Sequence, residues 1–134
     1  MEAPTLQNPE TTLLIVDDDP LMTELFRVSM SRRGFRVLTA CGGREALGIV
    51  QADDSAVRLV VTDVTMPEMD GLELARELGR VRPDLPVLLS TGHDADMEVA
   101  AGLPNVLGIV NKPYQARDLA ERIRAIVACG PAES

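Results

Sequence analysis

The sequence predicts an α/β fold: five parallel strands alternating with five helices, in one sheet covered on both faces. Two observations predict it. Short apolar runs rich in Val, Leu and Ile recur along the chain, each bounded by turn formers, as buried strands are. Between these runs, apolar residues fall at roughly helical spacing. A chain of 134 residues suits one such domain, and right-handed crossovers leave few topologies.

Residues 1–11 are polar and predict a disordered lead-in. Leu13-Leu14-Ile15-Val16 is the first strand and stops at Asp17-Asp18-Asp19-Pro20. Asp19 reads as a helix N-cap with Pro20 at the first helical position. Leu21, Met22, Leu25, Val28 and Met30 mark that helix, and Arg32-Arg33-Gly34 closes it. Phe35 to Thr39 is the second strand, and Gly43 to Ala52 a helix carrying Ala46, Leu47 and Val50. Leu59-Val60-Val61 runs as the third strand into Asp63, and Gly71 to Val81 follows as a helix. Pro86 to Ser90 is the fourth strand, and Asp94 to Ala101 a short helix with a weak pattern. Val106 to Val110 is the fifth strand, and Gln115 to Ala128 the last helix. Residues 130–134 are expected to fray, so residues 12–129 form the domain.

Composition narrows the function classes. Hydrophobic residues make up 46% of the chain and aromatics only 2%, so the core must be aliphatic. A formal charge of −8 argues against direct nucleic-acid binding and against an anionic membrane surface. Cys41 and Cys129 fit no metal-ligand spacing and suit a reduced, cytoplasmic setting. The first residues hold no signal peptide, and no run approaches the ~18 apolar residues of a membrane span.

Ligands of an open α/β sheet bind beyond the C-terminal ends of its strands. The first strand ends at Asp17 and Asp18, the third at Asp63, the fourth at Thr91 and the fifth at Lys112. The second ends in Ala40, Cys41 and Gly42, with no such chemistry. Strand two therefore belongs at an edge, in the order 2-1-3-4-5, a doubly wound flavodoxin-like (βα)5 sheet. Three carboxylates at one rim repel each other, and a hard cation such as Mg²⁺ resolves this through oxygen ligands. A carboxylate can be a nucleophile toward phosphorus. Phosphoryl transfer needs charge neutralisation, which Lys112 supplies as a point charge and Thr91 supports with a hydroxyl.

With these residues in place, the sequence resembles the receiver domains of two-component response regulators. The resemblance lies in Val16-Asp17-Asp18, in the run from Val61 through Asp63, Met66-Pro67 and Asp70-Gly71, in Leu89-Ser90-Thr91-Gly92, and in Asn111-Lys112-Pro113-Tyr114. It covers roughly residues 12–128. It implies that Asp63 is the phosphoacceptor and that Asp18, Asp63 and the backbone carbonyl of Thr65 bind Mg²⁺, with Mn²⁺ as the alternative ion. Asp17 then acts mainly through water, Thr91 is the switch hydroxyl and Lys112 contacts the phosphoryl group. The Lys112–Pro113 bond is a cis candidate. The donor is a phosphohistidine on a sensor histidine kinase or phosphotransfer protein, and a downstream protein reads the surface around the loop after strand four. Such a domain catalyses its own phosphorylation and dephosphorylation without a turnover substrate.

Three positions depart from the family pattern. Ile109 stands where many members carry Tyr or Phe that turns inward on activation. Thr65 and His93, the latter next to Gly92, are the variable positions that flank the path of attacking water. The stretch from Arg82 to Pro86 and on to His93 is similar to receivers attached to hybrid kinases, so a stand-alone regulator and a hybrid-kinase receiver both stay open. Two other readings compete. A flavodoxin-like nucleotide or FMN binder wants a loop of phosphate-facing N–H groups, whereas Asp17-Asp18-Asp19-Pro20 repels phosphate. An aspartyl phosphatase uses acids spaced as Asp17 and Asp19 are, but leaves the Asp63 motif unexplained.

Overall fold

The computed structural model describes residues 11–52, 56–91, 102–112 and 114–129. The expected helix over 94–101, and Gly92, His93 and Pro113, lie outside the described residues. Strand β1 is Thr11–Val16, helix α1 Pro20–Ser31, β2 Phe35–Ala40, α2 Gly43–Gln51, β3 Val57–Asp63, α3 Gly71–Val81, β4 Val87–Thr91, β5 Val106–Asn111 and α4 Ala116–Cys129. All four strand pairings are parallel, and the order is β2-β1-β3-β4-β5, as the distribution of polar strand ends predicts. Thr11 already pairs with Phe35, so β1 starts one residue inside the expected lead-in. Thr91 closes β4 rather than following it.

Alternation along the strands builds two cores. Leu14, Val16, Val60 and Leu89 face Ala46 and Val50 of α2 and Leu74, Ala75 and Leu78 of α3. Leu13, Ile15, Leu59, Val61, Leu88 and Val110 face Phe26 and Met30 of α1 and Leu119, Ala120 and Ile123 of α4. Burying each large aliphatic side chain favours the fold by about 1.5–3 kcal/mol. The sheet is thereby held rigid from both sides. Its registers bring Val16 level with Ala40 and Thr62, Asp63 level with Ser90, and Thr91 level with Asn111. The C-terminal strand ends thus share one rim, where the polar residues collect.

Candidate functional site

Asp17 follows β1, and Asp63 ends β3. Counting by twos from Leu13 and Ile15, and from Leu59 and Val61, sends both carboxylates to the α1/α4 face. Asp18, one residue on, is aimed by the turn instead of the strand. That turn is fixed locally. The Asp19 N–H donates to Asp17 Oδ1 at 3.0 Å, and Asp19 Oδ1 accepts from the Leu21 N–H at 3.0 Å. Asp19 is therefore the α1 cap, with Pro20 at the start of the helix. Asp17, Asp18 and Asp63 each offer a carboxylate oxygen, and these oxygens lie within 4.8 Å of one another.

Lys112, just past β5, spans this cluster. Its Nζ lies 3.4 Å from Asp63 Oδ1 and 3.6 Å from Asp17 Oδ2. Its own N–H donates to the Thr91 carbonyl at 2.9 Å, which ties two predicted site residues together through the backbone. The Thr91 residue is buried. Burial pushes the Asp17 carboxyl above the usual carboxylate range, aided by Asp63 and Asp18, and the Asp19 N–H and Lys112 only partly offset this. Among the described residues, three carboxylates and one ammonium, that of Lys112, meet at the rim.

The loop from β3 to α3 carries Thr65 and closes over Asp63. The Val64 N–H donates to the Ser90 carbonyl at 3.0 Å, and the Gly71 N–H to the Val64 carbonyl at 2.7 Å. Glu68 takes a positive φ of 67° within this turn. Gly71 is more than a helix start. A Cβ there would collide with the Asp63 carbonyl oxygen and come within 2.8 Å of Val64 Cα. Only a bare backbone lets the helix begin so close to the end of β3; the Asp70-Gly71 pair is its signal in the sequence. Tyr114 belongs to the same rim. Its hydroxyl is held above the usual phenol range, first by burial and then by the charges of Asp17 and Asp63. A cavity of about 490 Å³ opens beside Lys112 and Tyr114 against α1.

The model of the response regulator receiver domain matches residues 13–124. The chain belongs to the response regulator receiver domain family. A receiver domain of this family is a phosphorylation-activated switch of two-component signalling. The response regulator MprA of Mycolicibacterium vanbaalenii is 40% identical over 116 residues, covering 86% of this chain and 49% of that protein. The transcriptional regulatory protein AfsQ1 of Streptomyces coelicolor is 39% identical over 123 residues, covering 91% of this chain and 53% of that protein. The receiver thus spans about half the length of these curated relatives. Among solved structures, a receiver domain protein of Clostridium thermocellum superposes with a TM-score of 0.81 at 27% identity, covering 89% of this chain and 95% of that one. The response regulator TrrA of Thermotoga maritima, solved in complex with Mg²⁺-BeF, gives 0.77 at 27% identity, covering 86% and 97%.

The two competing readings lose their ground in this receiver. Asp19, the second acid of the phosphatase spacing, is exposed and occupied as a cap. At the first strand end, where a flavin site would want N–H groups, the rim presents carboxylates. Among the described residues no helix is long and apolar enough to cross a membrane.

Proposed function

We propose that Asp63 accepts the phosphoryl group of this receiver domain, from a phosphohistidine on a sensor kinase or phosphotransfer protein. The observation that carries the reading is the Lys112 ammonium 3.4 Å from Asp63 Oδ1, at the end of a strand buried on both faces. In the transfer the bond between imidazole nitrogen and phosphorus breaks, and the bond from an Asp63 oxygen to phosphorus forms. The bonding pair leaves with the imidazole. Asp63 is positioned as the nucleophile, and Lys112 offers a positive charge to the phosphoryl oxygens. Thr91, at the end of the adjacent strand, supplies a hydroxyl donor.

The carboxylate cluster fits a hard divalent cation, because three carboxylate oxygens converge within 4.8 Å against the one ammonium of Lys112. Asp18, Asp63 and the Thr65 carbonyl would hold Mg²⁺ or Mn²⁺. Asp17, already accepting from Asp19 and facing Lys112, would act mainly through water. Bound there, the ion supplies the remaining charge neutralisation of the transferred group.

We read the receiver as running from Thr11 through 129. Its surroundings are proposed to be cytoplasmic. The charge of −8 favours a protein as the downstream partner of this domain over direct nucleic-acid contact. Ile109 is half-buried against the α2/α3-side core, and its carbonyl accepts from Arg122 Nη1 at 3.0 Å. A β-branched side chain so placed supports one rotamer, so readout falls on the surface beyond Thr91.

Acetyl phosphate with Mg²⁺ should add one phosphoryl group to the wild type, read by intact-mass spectrometry. Asp63→Asn should take none. An undiminished adduct on Asp63→Asn would remove Asp63 from the role.

A further inference from the structure

Strand β4 reaches the rim with two hydroxyl residues in succession, Ser90 and Thr91. Alternation sends them to opposite faces. The proposed reaction uses Thr91 and leaves Ser90 without a task. Ser90 pairs in register with Asp63 on one side and Val110 on the other. Registered residues of adjacent strands share a face. Leu88, Val61 and Val110 pack on the α1/α4 side, so Ser90 stands there too, beside Asp63 and two residues short of Lys112 along the rim.

Ser90 is 3% exposed, and its Oγ is buried without a hydrogen-bond partner among the described residues. Its carbonyl, by contrast, accepts the Val64 N–H at 3.0 Å. The backbone is therefore held, and only the side-chain torsion can respond. A buried hydroxyl with no partner is costly and rare in folded proteins, so this one calls for a state in which it is satisfied.

We propose that Ser90 is a positioning residue for the phosphorylated state. Its hydroxyl turns to donate to the carbonyl oxygen that Asp63 retains once its other carboxylate oxygen carries the phosphoryl group. The inference rests on Asp63 being the acceptor. In the resting site Lys112 lies against Asp63 Oδ1. After transfer the phosphoryl oxygens carry more negative charge than the carbonyl oxygen and draw the ammonium toward them. The carbonyl oxygen keeps two lone pairs, so it can accept from Ser90 even while one is taken by a cation. Because the orphan exists in the resting state and is relieved in the phosphorylated one, Ser90 favours the second over the first.

Ser90→Ala removes the oxygen and little else. The chain has one tyrosine and no tryptophan, so Tyr114 fluorescence beside the site reports beryllofluoride binding in Mg²⁺. Expected for Ser90→Ala are a resting melting temperature equal to or above wild type, unchanged affinity for Mg²⁺ alone, and beryllofluoride affinity lower by about 3- to 10-fold, the size of one net hydrogen bond. Equal beryllofluoride affinity in the two proteins overturns the proposal. So does a resting Ser90→Ala that melts lower, since the hydroxyl would then be bonded already, and so does a parallel loss of Mg²⁺ affinity. A wild type that takes neither beryllofluoride nor phosphoryl overturns the acceptor reading, and the Ser90 proposal with it.

Discussion

At the scale of single residues, the site trades stability for charge. Asp17 is buried, and its raised pKa means that folding favours the neutral carboxyl. A group of this kind destabilises the fold when ionised. The cost is absent below its unfolded pKa, about 4, and is fully present once pH has risen through the folded value. Asp17→Asn should therefore raise the melting temperature at neutral pH in a chelating buffer. The gain should shrink as the pH falls through the raised pKa of the wild-type group. A melting series from pH 7 downward decides it; a gain that grows on acidification would reverse the sign. Gly71 is the other single residue on which the rim depends. Gly71→Ala must push α3 away from the Asp63 carbonyl and Val64, at a cost of about 1–3 kcal/mol. Urea unfolding should show that loss, and beryllofluoride binding should weaken because the displaced backbone belongs to Asp63.

At the scale of elements, every strand and helix of the described residues was legible because each short run has one period. The N-caps were legible in part. Asp19 before Pro20 is a textual cap, and it is one in the fold. Asp70 carries no proline after it to mark a cap, yet its Oδ1 accepts the Glu73 N–H at 2.8 Å and starts α3. Asp70→Ala should cost about 1 kcal/mol through this cap, a lower urea midpoint with an unchanged slope. A neutral result would mean that the Gly71 turn alone starts the helix. Element boundaries were less legible. Thr11, Val57 and Thr91 join strands through pairing with partners far along the chain, which local pattern does not encode.

At the scale of the whole molecule, three of the 21 acidic residues of a −8 chain converge at one rim of the sheet. A cation that binds only the folded rim stabilises the entire domain, by about 2.7 kcal/mol at a hundred times its dissociation constant. Mg²⁺ should thus raise the melting temperature of the wild type by several degrees and that of Asp18→Ala by much less. Calorimetric scans with and without Mg²⁺ test this. Equal shifts in both proteins would assign the effect to general screening of the charge.

The sequence by itself determined the α/β class, the element order, the strand order and the set of polar residues at the strand ends. Hydrophobic period and turn chemistry are local, and the crossover rule converts them into one topology. Tertiary structure decided the distances at which those residues meet. Lys112 reaches both Asp17 and Asp63 because β1, β3 and β5 are brought into one sheet and α1 and α4 cover one face. The same packing places Gly71 against the Asp63 backbone, leaves Tyr114 under the charge of Asp17 and Asp63, and leaves the Ser90 hydroxyl without a partner among the described residues. Those facts depend on distances between segments remote in the chain, and no periodicity within a segment carries them.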